Sequence, residues 1–559
     1  MKIALAQQNY RIGDFGYNTQ KIIQAIEKAT LANVELVVFS ELCICGYPPR
    51  DFLLFDEFIQ SCLQAIDQIK PYTKDIAVLV GAPAINPQKE GKDLFNSAYF
   101  IYQEKIQAVI HKTLLPTYDV FDEYRHFEPA DEWTTVLFKR KKLAVTICED
   151  IWNINDNPMY RICPMDKLMM QKPDIMINLS ASPFDYTHVQ DRKATVKANV
   201  LKYQLPMVYC NTVGSQTEIV FDGGSLVADK NGNICCALSL FEEDFAVVDV
   251  LENGLITESI IETADALPNI GFNPKTLESH LYIDQIDQAL VIGIKDYFKK
   301  MGFTKAIIGS SGGIDSAVTL ALACEALGTK NVLAVLMPSP YSTEHSVNDA
   351  IQLSKNLDNP YHIIQINHIY DTFLDTLKPA FKDLPFNIAE ENIQSRIRGN
   401  LLMAVANKFG YILLNTSNKS ELATGYGTLY GDMAGGLSVL GDCYKTQVYA
   451  LADYINREKE VIPSNIITKA PSAELRPNQK DSDSLPDYAI LDQILYQYIE
   501  QCQGPKSIIN KGFDAALVSR VLKMVNNNEY KRNQFCPIIR ISPKAFGVGR
   551  RMPIVGKYL

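Results

Sequence analysis

The sequence predicts an α/β protein built from two layered domains. Short runs of β-branched and aliphatic residues alternate with helical stretches up to about residue 250, and the same alternation returns after residue 285. Strands interleaved with helices are typical of layered α/β domains. Residues 251–284 break this rhythm and contain several glycines and prolines, which indicates a connecting segment. We therefore expect domains at 1–250 and 285–559, joined by the segment 251–284.

The first domain contains eight apolar runs with the length and composition of strands. An Asn-Gly pair in the stretch 229–233 predicts a hairpin turn close to the end of this domain. The predicted strands are residues 3–6, 36–39, 76–80, 97–101, 143–147, 175–179, 207–211 and 224–228.

The second domain begins with an amphipathic pattern over residues 286–300, which predicts a helix. Apolar runs at 306–308, 332–336 and 411–415 predict strands, and helical stretches separate them. The first of these strands leads into a glycine-rich loop and then an apolar run that begins at Ala317, so the order is strand, loop, helix.

Composition excludes several classes of protein. The 559 residues exceed one ordinary domain, and 47% hydrophobic with 21% charged residues is typical of a globular chain without long disorder. A net charge of −10 argues against a general nucleic-acid binder. No apolar run is long enough to span a bilayer, and the opening residues form a strand pattern and not a signal peptide. We expect a cytoplasmic chain, and its 12 scattered cysteines are expected to be reduced thiols.

The loop after residue 308 is the strongest single motif. A glycine-rich loop between a strand and a helix points backbone N–H groups at one spot, where an anion such as a phosphate is favoured. The spacing matches neither a Walker A motif nor the G-x-G-x-x-G fingerprint, and a tight turn without ligand is the alternative. The predicted ATP-binding stretch comprises Gly309, Ser310, Ser311, Gly312, Gly313, Ile314, Asp315 and Ser316.

This SGGxDS sequence resembles the PP-loop of the ATP pyrophosphatases, which cleave ATP between its α- and β-phosphates. The resemblance implies that Ser311, Gly312, Gly313 and Ser316 cradle pyrophosphate. It also implies that Asp315 holds Mg²⁺.

Three reactive residues follow predicted strands or lie in nearby loops of the first domain. Glu41 comes just after residues 36–39, Lys112 lies in the stretch His-Lys-Thr-Leu-Leu-Pro, and Cys148 follows residues 143–147. A cysteine can act as a nucleophile, a glutamate can take its proton, and a lysine can stabilise the thiolate and the oxyanion. Each residue alone is more often structural, so the signal is their combination.

These segments resemble the nitrilase, or carbon-nitrogen hydrolase, superfamily over about residues 1–250. The resemblance implies an α-β-β-α sandwich, with Glu41 as general base, Lys112 as oxyanion stabiliser, Cys148 as nucleophile and Glu123 as a supporting carboxylate. In glutamine-hydrolysing members, Tyr118 and Ser182 are the implied glutamine contacts. Six residues after this serine the family has Lys or Arg, whereas this sequence has His188.

Residues 285–555 resemble the NAD synthetases, which implies a Rossmann-like parallel sheet of the adenine nucleotide alpha hydrolase type. The ammonia-only members have a lysine where this sequence has Leu429. The resemblance implies further ATP contacts at Met337, Thr416, Lys445 and Ser472, deamido-NAD⁺ contacts at Asn392, Arg396, Glu421 and Lys531, and Mg²⁺ ligands at Asp315 and Glu421.

The two resemblances together imply that glutamine is hydrolysed in the first domain and that its ammonia amidates deamido-NAD⁺ in the second, with ATP as co-substrate. Protected passage of ammonia is expected, because at pH 7 most free ammonia is the non-nucleophilic ammonium ion. A PP-loop amidotransferase acting on another carboxylate or carbonyl is one alternative. The other is a non-catalytic assembly module in the first domain, which would need the loss of Glu41, Lys112 or Cys148, and all three are present. The resemblance to the NAD synthetases implies a homo-oligomer, at least a dimer through the second domain. We expect no nucleic-acid or membrane partner.

Overall fold

The computed structural model describes residues 1–154, 158–258, 276–382, 384–472, 474–477, 479 and 481–558. The chain divides into two compact units, Met1–Ile270 and Gly271–Leu559. Of the segment predicted to connect the domains, residues 259–275 lie outside the described residues.

The first unit is built mainly from strands. Its helices are α1 Phe15–Leu31, α2 Asp56–Ile69, α3 Pro164–Leu168 and α4 His188–Tyr203. Its strands are β1 Lys2–Gln7, β2 Leu36–Val38, β3 Ala77–Ile85, β4 Leu94–Tyr102, β5 Lys105–His111, β6 Val136–Phe138, β7 Lys141–Ile147, β8 Ile175–Ser180, β9 Met207–Asn211, β10 Val213–Gln216, β11 Ile219–Asp222, β12 Leu226–Ala228, β13 Ile234–Ala237, β14 Asp244–Val250 and β15 Ile256–Glu258.

The strands of this unit form two large sheets and one hairpin. One sheet has the order β15-β14-β1-β2-β3-β4-β5 and the other has the order β13-β12-β9-β8-β7-β6, while β10 pairs with β11. Sheets packed against helices on their outer faces need strands that are apolar on both faces. The fully buried runs of β1, β2, β7 and β8 have this character.

Alternate side chains of the same strand enter different cores, as the strand period of two requires. Leu5 of β1 packs in a core shared with Val145 and Ile177 of the other sheet, so the sheets lie face to face. Ala4, its neighbour, packs in a second core with residues of α1 and α2. A third core joins the opposite face of the β6–β13 sheet to α3 and α4. The result is the predicted α-β-β-α sandwich.

The second unit is a parallel sheet surrounded by helices. Its strands are β16 Ala306–Gly309, β17 Val332–Leu336, β18 Tyr361–Ile363, β19 Ile412–Asn415 and β20 Leu437–Ser438. Its helices are α5 Ile283–Met301, α6 Ile314–Leu327, α7 Glu344–Leu357, α8 Asn367–Phe381, α9 Ile388–Phe409, α10 Lys419–Thr424, α11 Lys445–Ile455, α12 Ser464–Thr468, α13 Tyr488–Ile499, α14 Pro505–Ile509, α15 Ala515–Asn527 and α16 Glu529–Arg532.

The strand order β18-β17-β16-β19-β20 places a topological switch point at β16. The chain builds outward from β16 through β17 to β18, and then returns to the other side of β16 with β19. The carboxyl ends of strands at such a switch point form the crevice in which open α/β sheets bind ligands. The predicted glycine-rich loop follows β16 directly, so it lies at this crevice. The α/β class predicted from the sequence is confirmed in both units.

Candidate active sites

The first candidate site collects residues from the ends of three strands. Glu41 lies three residues beyond the end of β2, Lys112 directly follows β5, and Cys148 directly follows β7. Each of these side chains is nearly or fully buried. Buried ionisable side chains are rare unless they are paired. The ion pairs and hydrogen bonds of these side chains therefore explain how they can be buried together.

Lys112 is the centre of the cluster. Its Nζ lies 2.7 Å from Glu41 Oε1 and 2.8 Å from Glu123, and Lys112 is 0% exposed. The two carboxylates raise the pKa of Lys112 well above its ordinary value, overcoming the opposing effect of burial. Burial raises the pKa of Glu123, and the nearby Glu41 charge adds to this effect. The ammonium group therefore carries a fixed positive charge inside the site.

Three further groups hold the two carboxylates in place. Asn96 Nδ2 donates to Glu41 Oε1 at 2.7 Å and lies 3.3 Å from Glu123 Oε2. The backbone N–H of Ala181 donates to Glu41 Oε2 at 3.0 Å, and the Tyr47 hydroxyl donates to Glu123 Oε1 at 2.8 Å. Both carboxylates are thus fixed by several donors, which favours one geometry for the proposed base.

Cys148 occupies a strained backbone position at a sharp turn. Its φ is +43°, in the left-handed region that non-glycine residues seldom adopt, and a short 3₁₀ turn starts at this residue. Burial, reinforced by the Glu41 charge, raises the pKa of the Cys148 thiol well above its ordinary value. The thiol is therefore protonated at rest and requires a base.

Asp150 ties the cysteine turn to the lysine loop. Its Oδ1 accepts from the backbone N–H groups of Thr113 and Leu114 at 3.1 and 2.9 Å, and its Oδ2 accepts from that of Ile147 at 3.0 Å. Burial raises the pKa of Asp150 to about 6. One carboxylate therefore links the residue after Lys112 to the residue before Cys148.

The three residues predicted to contact glutamine form two polar pairs. The Tyr118 hydroxyl lies 3.0 Å from both carboxylate oxygens of Glu149, the residue after Cys148. Ser182 Oγ lies 2.7 Å from His188 Nε2, and the His188 ring stacks on Trp152 with centroids 4.8 Å apart. Burial raises the pKa of Glu149 to about 7.

The second candidate site begins with the loop after β16. Gly312 has a φ of +78°, and a Cβ on this residue would lie 2.2 Å from the carbonyl oxygen of Ser346, so only glycine fits there. Ser316 Oγ accepts from the backbone N–H of Ser311 at 3.3 Å and donates to the Gly313 carbonyl at 3.0 Å. These contacts fix the loop at the start of α6, where free N–H groups favour an anion.

Two carboxylates meet one ammonium group beside this loop. Lys445 Nζ donates to Asp315 Oδ2 and lies 3.5 Å from Glu421 Oε1. Asn418 Nδ2 donates to Asp315 Oδ1 at 2.9 Å. Burial and the nearby Asp315 charge raise the pKa of Glu421 to about 8. The part of the chain that the structure describes contains no group of three or more His, Cys, Asp or Glu side chains placed to hold a metal ion.

A cavity of about 290 Å³ opens at these groups. Among the residues predicted to bind ATP or the metal, those that line it are Gly309, Ser310, Ser311, Gly313, Ile314, Asp315, Ser316, Met337, Thr416, Glu421, Lys445 and Ser472. Gly312 is not among the lining residues and packs against Ser346 instead.

The other residues predicted to contact deamido-NAD⁺ lie around the loop 425–431, which contributes Tyr426 and Gly431 to the cavity wall. Asn392 Oδ1 accepts from Thr428 at 2.8 Å, Arg396 donates to the Leu429 carbonyl at 3.3 Å, and Lys531 donates to two carbonyls of this loop at 2.8 Å. Asn392, Arg396 and Lys531 do not themselves line the cavity.

Several residues that sequence reasoning missed belong to these sites. In the first site they are Asn96, Tyr47, Asp150 and Glu149. In the second they include Arg398, Lys469 and Asp481, which line the cavity. The adjacency of Glu149 and Asp150 to Cys148 could have indicated them, whereas Asn96 lies inside an ordinary strand pattern.

No helix in the described ranges has the length and apolar character that crossing a membrane requires.

Comparison with known proteins covers both units. The carbon-nitrogen hydrolase family matches residues 2–254, and the NAD synthase family matches residues 286–535. The glutamine-dependent NAD(+) synthetase of Synechocystis sp. is 44% identical over 99% of this chain and 98% of its own length. That of Thermotoga maritima is 40% identical over 100% and 99%. The structure of the Acinetobacter baumannii enzyme in complex with ADP is 38% identical, covers 99% of this chain and 98% of its own, and superposes with a TM-score of 0.77.

Proposed function

We propose roles for the residues of both sites from the premise that this chain belongs to the glutamine-dependent NAD(+) synthetases. It is a ligase that takes nitrogen from glutamine and forms NAD⁺ from deamido-NAD⁺ and ATP. The observation that carries the assignment of roles is the buried cluster of Glu41, Lys112 and Glu123 beside Cys148.

In the first reaction, the Cys148 thiol gives its proton to Glu41 as its sulfur attacks the glutamine amide carbon. Lys112 stabilises the oxyanion that forms, since a fixed positive charge in a buried site is aimed at developing negative charge. Glu41 then gives the proton to the leaving nitrogen, and ammonia departs from the thioester. Water, deprotonated by Glu41, hydrolyses the thioester to glutamate and restores the thiol. Glu123 keeps Lys112 charged and in position.

Tyr118, Ser182 and His188 orient the glutamine in this proposal. His188 would contact the α-carboxylate, where other members of the superfamily have a permanently charged side chain. The 2.7 Å contact between Ser182 and His188 supports a joint role. A histidine at this position makes the contact dependent on protonation.

In the second reaction, a carboxylate oxygen of deamido-NAD⁺ attacks the α-phosphorus of ATP, the bond to the β-phosphate oxygen breaks, and pyrophosphate leaves. Ammonia then attacks the acyl carbon, AMP departs with the bonding electrons, and a proton is lost from nitrogen to give NAD⁺. Ser311, Gly312, Gly313 and Ser316 would cradle the pyrophosphate. The whole stretch 309–316 would contact ATP, together with Met337, Thr416, Lys445 and Ser472. Asn392, Arg396, Glu421 and Lys531 would contact deamido-NAD⁺.

Asp315 and Glu421 are the proposed ligands of Mg²⁺. Magnesium that binds together with phosphates uses only one or two protein carboxylates. The two carboxylates of Asp315 and Glu421 are therefore enough for it. When bound, Mg²⁺ supplies charge neutralisation of the phosphates. Lys445 holds the same two carboxylates, so its ammonium group would share that task.

Three further properties belong to this proposal. The ammonia formed at Cys148 reaches the second site without equilibrating with the solvent pool. The protein acts as a homo-oligomer, at least a dimer through its second unit. It works in the cytoplasm.

The test is NAD⁺ formation from deamido-NAD⁺ and ATP with Mg²⁺, supplied with glutamine or with ammonium. We expect synthesis with both nitrogen sources and pyrophosphate release that requires deamido-NAD⁺. Pyrophosphate release that is equally fast with nicotinate or another simple carboxylate would contradict the assigned substrate.

A further inference from the structure

Three cationic side chains line the ATP cavity, and their surroundings differ. Lys445 contacts Asp315 and Glu421, and Lys469 lies 3.7 Å from Asp349 and 3.1 Å from Ser346 Oγ. The third cation is Arg398 of α9.

Arg398 differs from the two lysines in its polar contacts, since each lysine has a carboxylate within 4 Å. Its Nε donates to the Met337 carbonyl at 3.1 Å. Among the residues that the structure describes, no carboxylate lies within 4 Å of this guanidinium, and its two terminal nitrogens have no protein acceptor. Four N–H donors of an arginine therefore remain available at the wall of a cavity.

The Arg398 side chain is partly buried, and the carboxylates that act on it are not close. Burial lowers the pKa of Arg398, and the negative charges of Asp432 and Glu474 oppose this effect only from beyond 4 Å. Both carboxylates are already used elsewhere, since Asp432 accepts from the Thr428 N–H and Glu474 accepts from Ser346 Oγ, each at 2.6 Å. A partly buried cation without a carboxylate within 4 Å among the described residues is stabilised once an anionic ligand enters.

The place of Arg398 in the fold indicates which anion it meets. Met337, whose carbonyl it holds, follows the end of β17. Leu402, one helical turn further along α9, and Met337 both pack at Gly309, where the phosphate-binding loop begins. Arg398 is thus fixed at the carboxyl ends of β16 and β17. The loop amides and Lys445 are assigned to pyrophosphate, and Lys469 is paired with Asp349. Of the described cations that line the cavity, Arg398 is therefore the one without a carboxylate within 4 Å, and it can serve the reacting carboxylate and the α-phosphate.

We propose that Arg398 is a catalytic residue of the adenylation step and binds the anionic centre at which the substrate carboxylate attacks the α-phosphorus of ATP. The proposal rests on the proposed function. As the oxygen–phosphorus bond forms and pyrophosphate leaves with the electrons of the broken bond, the negative charge of two anions is concentrated at one centre. The planar guanidinium can donate two parallel hydrogen bonds to such oxygens, which a lysine cannot match.

The test compares Arg398→Gln and Arg398→Lys with the parent. Lys408→Gln is the matched control, because Lys408 is an exposed cation near the end of the same helix. Pyrophosphate release is measured over ranges of ATP and deamido-NAD⁺ concentration, and thermal unfolding verifies the fold. We expect Arg398→Gln to lower the kcat of pyrophosphate release by about 100-fold or more. KM for either substrate should change by less than about 5-fold, because the interaction strengthens in the transition state.

Arg398→Lys should recover roughly 10-fold of the lost rate, because lysine restores the positive charge but not the two parallel donors of the guanidinium. Lys408→Gln should match the parent. A kcat for Arg398→Gln within about 3-fold of the parent would overturn the proposal. A raised KM for ATP with unchanged kcat would also overturn it, since Arg398 would then only bind nucleotide. If Arg398→Gln does not fold, Arg398→Lys alone decides, with an expected loss of about 10-fold in kcat. A parent that releases no pyrophosphate with deamido-NAD⁺ would contradict the proposed function and not this role.

Discussion

The two proposed sites of this protein differ in how their cationic side chains are paired with carboxylates. At the proposed glutamine site, Lys112 lies between Glu41 and Glu123, all three are nearly or fully buried, and further donors fix both carboxylates. At the proposed ATP site, a cavity of about 290 Å³ lies beside the glycine-rich loop, and Arg398 has no carboxylate within 4 Å among the described residues. In the first site the lysine is paired with two carboxylates, whereas the second has an arginine whose one hydrogen bond, among the described residues, goes to a backbone carbonyl.

This difference agrees with the ligands proposed for the two sites. A glutamine side-chain amide is neutral, so charge appears only during the reaction, and preorganised groups can be fully paired before it binds. ATP and deamido-NAD⁺ are polyanions, so a site for them needs cationic charge that the protein leaves uncompensated. The comparison therefore predicts that the two sites respond differently to substitution.

The largest effect is expected for Cys148→Ala. Glutamine-supported NAD⁺ synthesis should fall at least about 1,000-fold, because the thioester is proposed to form on the Cys148 sulfur. Ammonium-supported synthesis should remain within about 3-fold of the parent. Both rates are measured from NAD⁺ formation, with Cys235→Ala as the control cysteine on β13. Equal loss of both activities in a folded variant would break the division into two sites.

Asp315→Asn should have the next largest effect, and with both nitrogen sources. The change keeps the shape of the side chain but removes the charge that pairs with Lys445 and is proposed to bind Mg²⁺. We expect synthesis to fall by about 100-fold or more with glutamine and with ammonium. Asp453→Asn, at an exposed position of α11, serves as control. Near-normal turnover of Asp315→Asn at saturating Mg²⁺ would refute this role.

His188→Lys should produce a smaller change that is confined to glutamine. A lysine stays charged at neutral and mildly alkaline pH, whereas histidine loses its charge as pH rises. The KM for glutamine should therefore fall by about 3- to 10-fold at pH 8 and rise less steeply with pH than in the parent. Ammonium-supported synthesis provides the control. Identical pH profiles for the two proteins would show that another residue binds the α-carboxylate.

For Glu149→Gln, we expect the main effect on the free energy of unfolding and on how it depends on pH. Burial raises the pKa of Glu149 from 4.5 to about 7, so the folded state binds this proton more tightly than the unfolded state. The parent therefore loses stability as pH rises from 4.5 through 7, by about 3 kcal/mol at most. Thermal unfolding should show Glu149→Gln gaining a few degrees over the parent at pH 8 and nothing at pH 4.5. A gain that is independent of pH would contradict this origin.

The sequence predicted the strands that are apolar throughout and the motif residues that follow them. Strands such as β8 are uniformly buried, so their composition was a strong signal. β5 was missed because it is largely exposed, and β10 and β11 were missed because each has only four residues. Short and exposed strands are stabilised by pairing partners that are distant in sequence, which a local pattern does not contain.

The same distinction applies to the sites. Glu41, Lys112 and Cys148 occur in recognisable segments, and the structure brings the first two into direct contact. Asn96 and Glu41 are separated by 55 residues, and only their meeting across the fold shows that the amide holds both carboxylates. Arg398 is two residues from the predicted Arg396, and helix geometry, not motif, decides which of them lines the cavity.

The central claim is that nitrogen released at Cys148 is used at the site built around Asp315. The most direct test supplies the parent with glutamine labelled with ¹⁵N in its amide, together with an equal concentration of unlabelled ammonium, deamido-NAD⁺ and ATP. Mass spectrometry then measures the label in the NAD⁺ carboxamide. We predict that most of the product carries ¹⁵N from the first turnovers. Product labelled only in proportion to the ammonia that has accumulated in solution would contradict the claim.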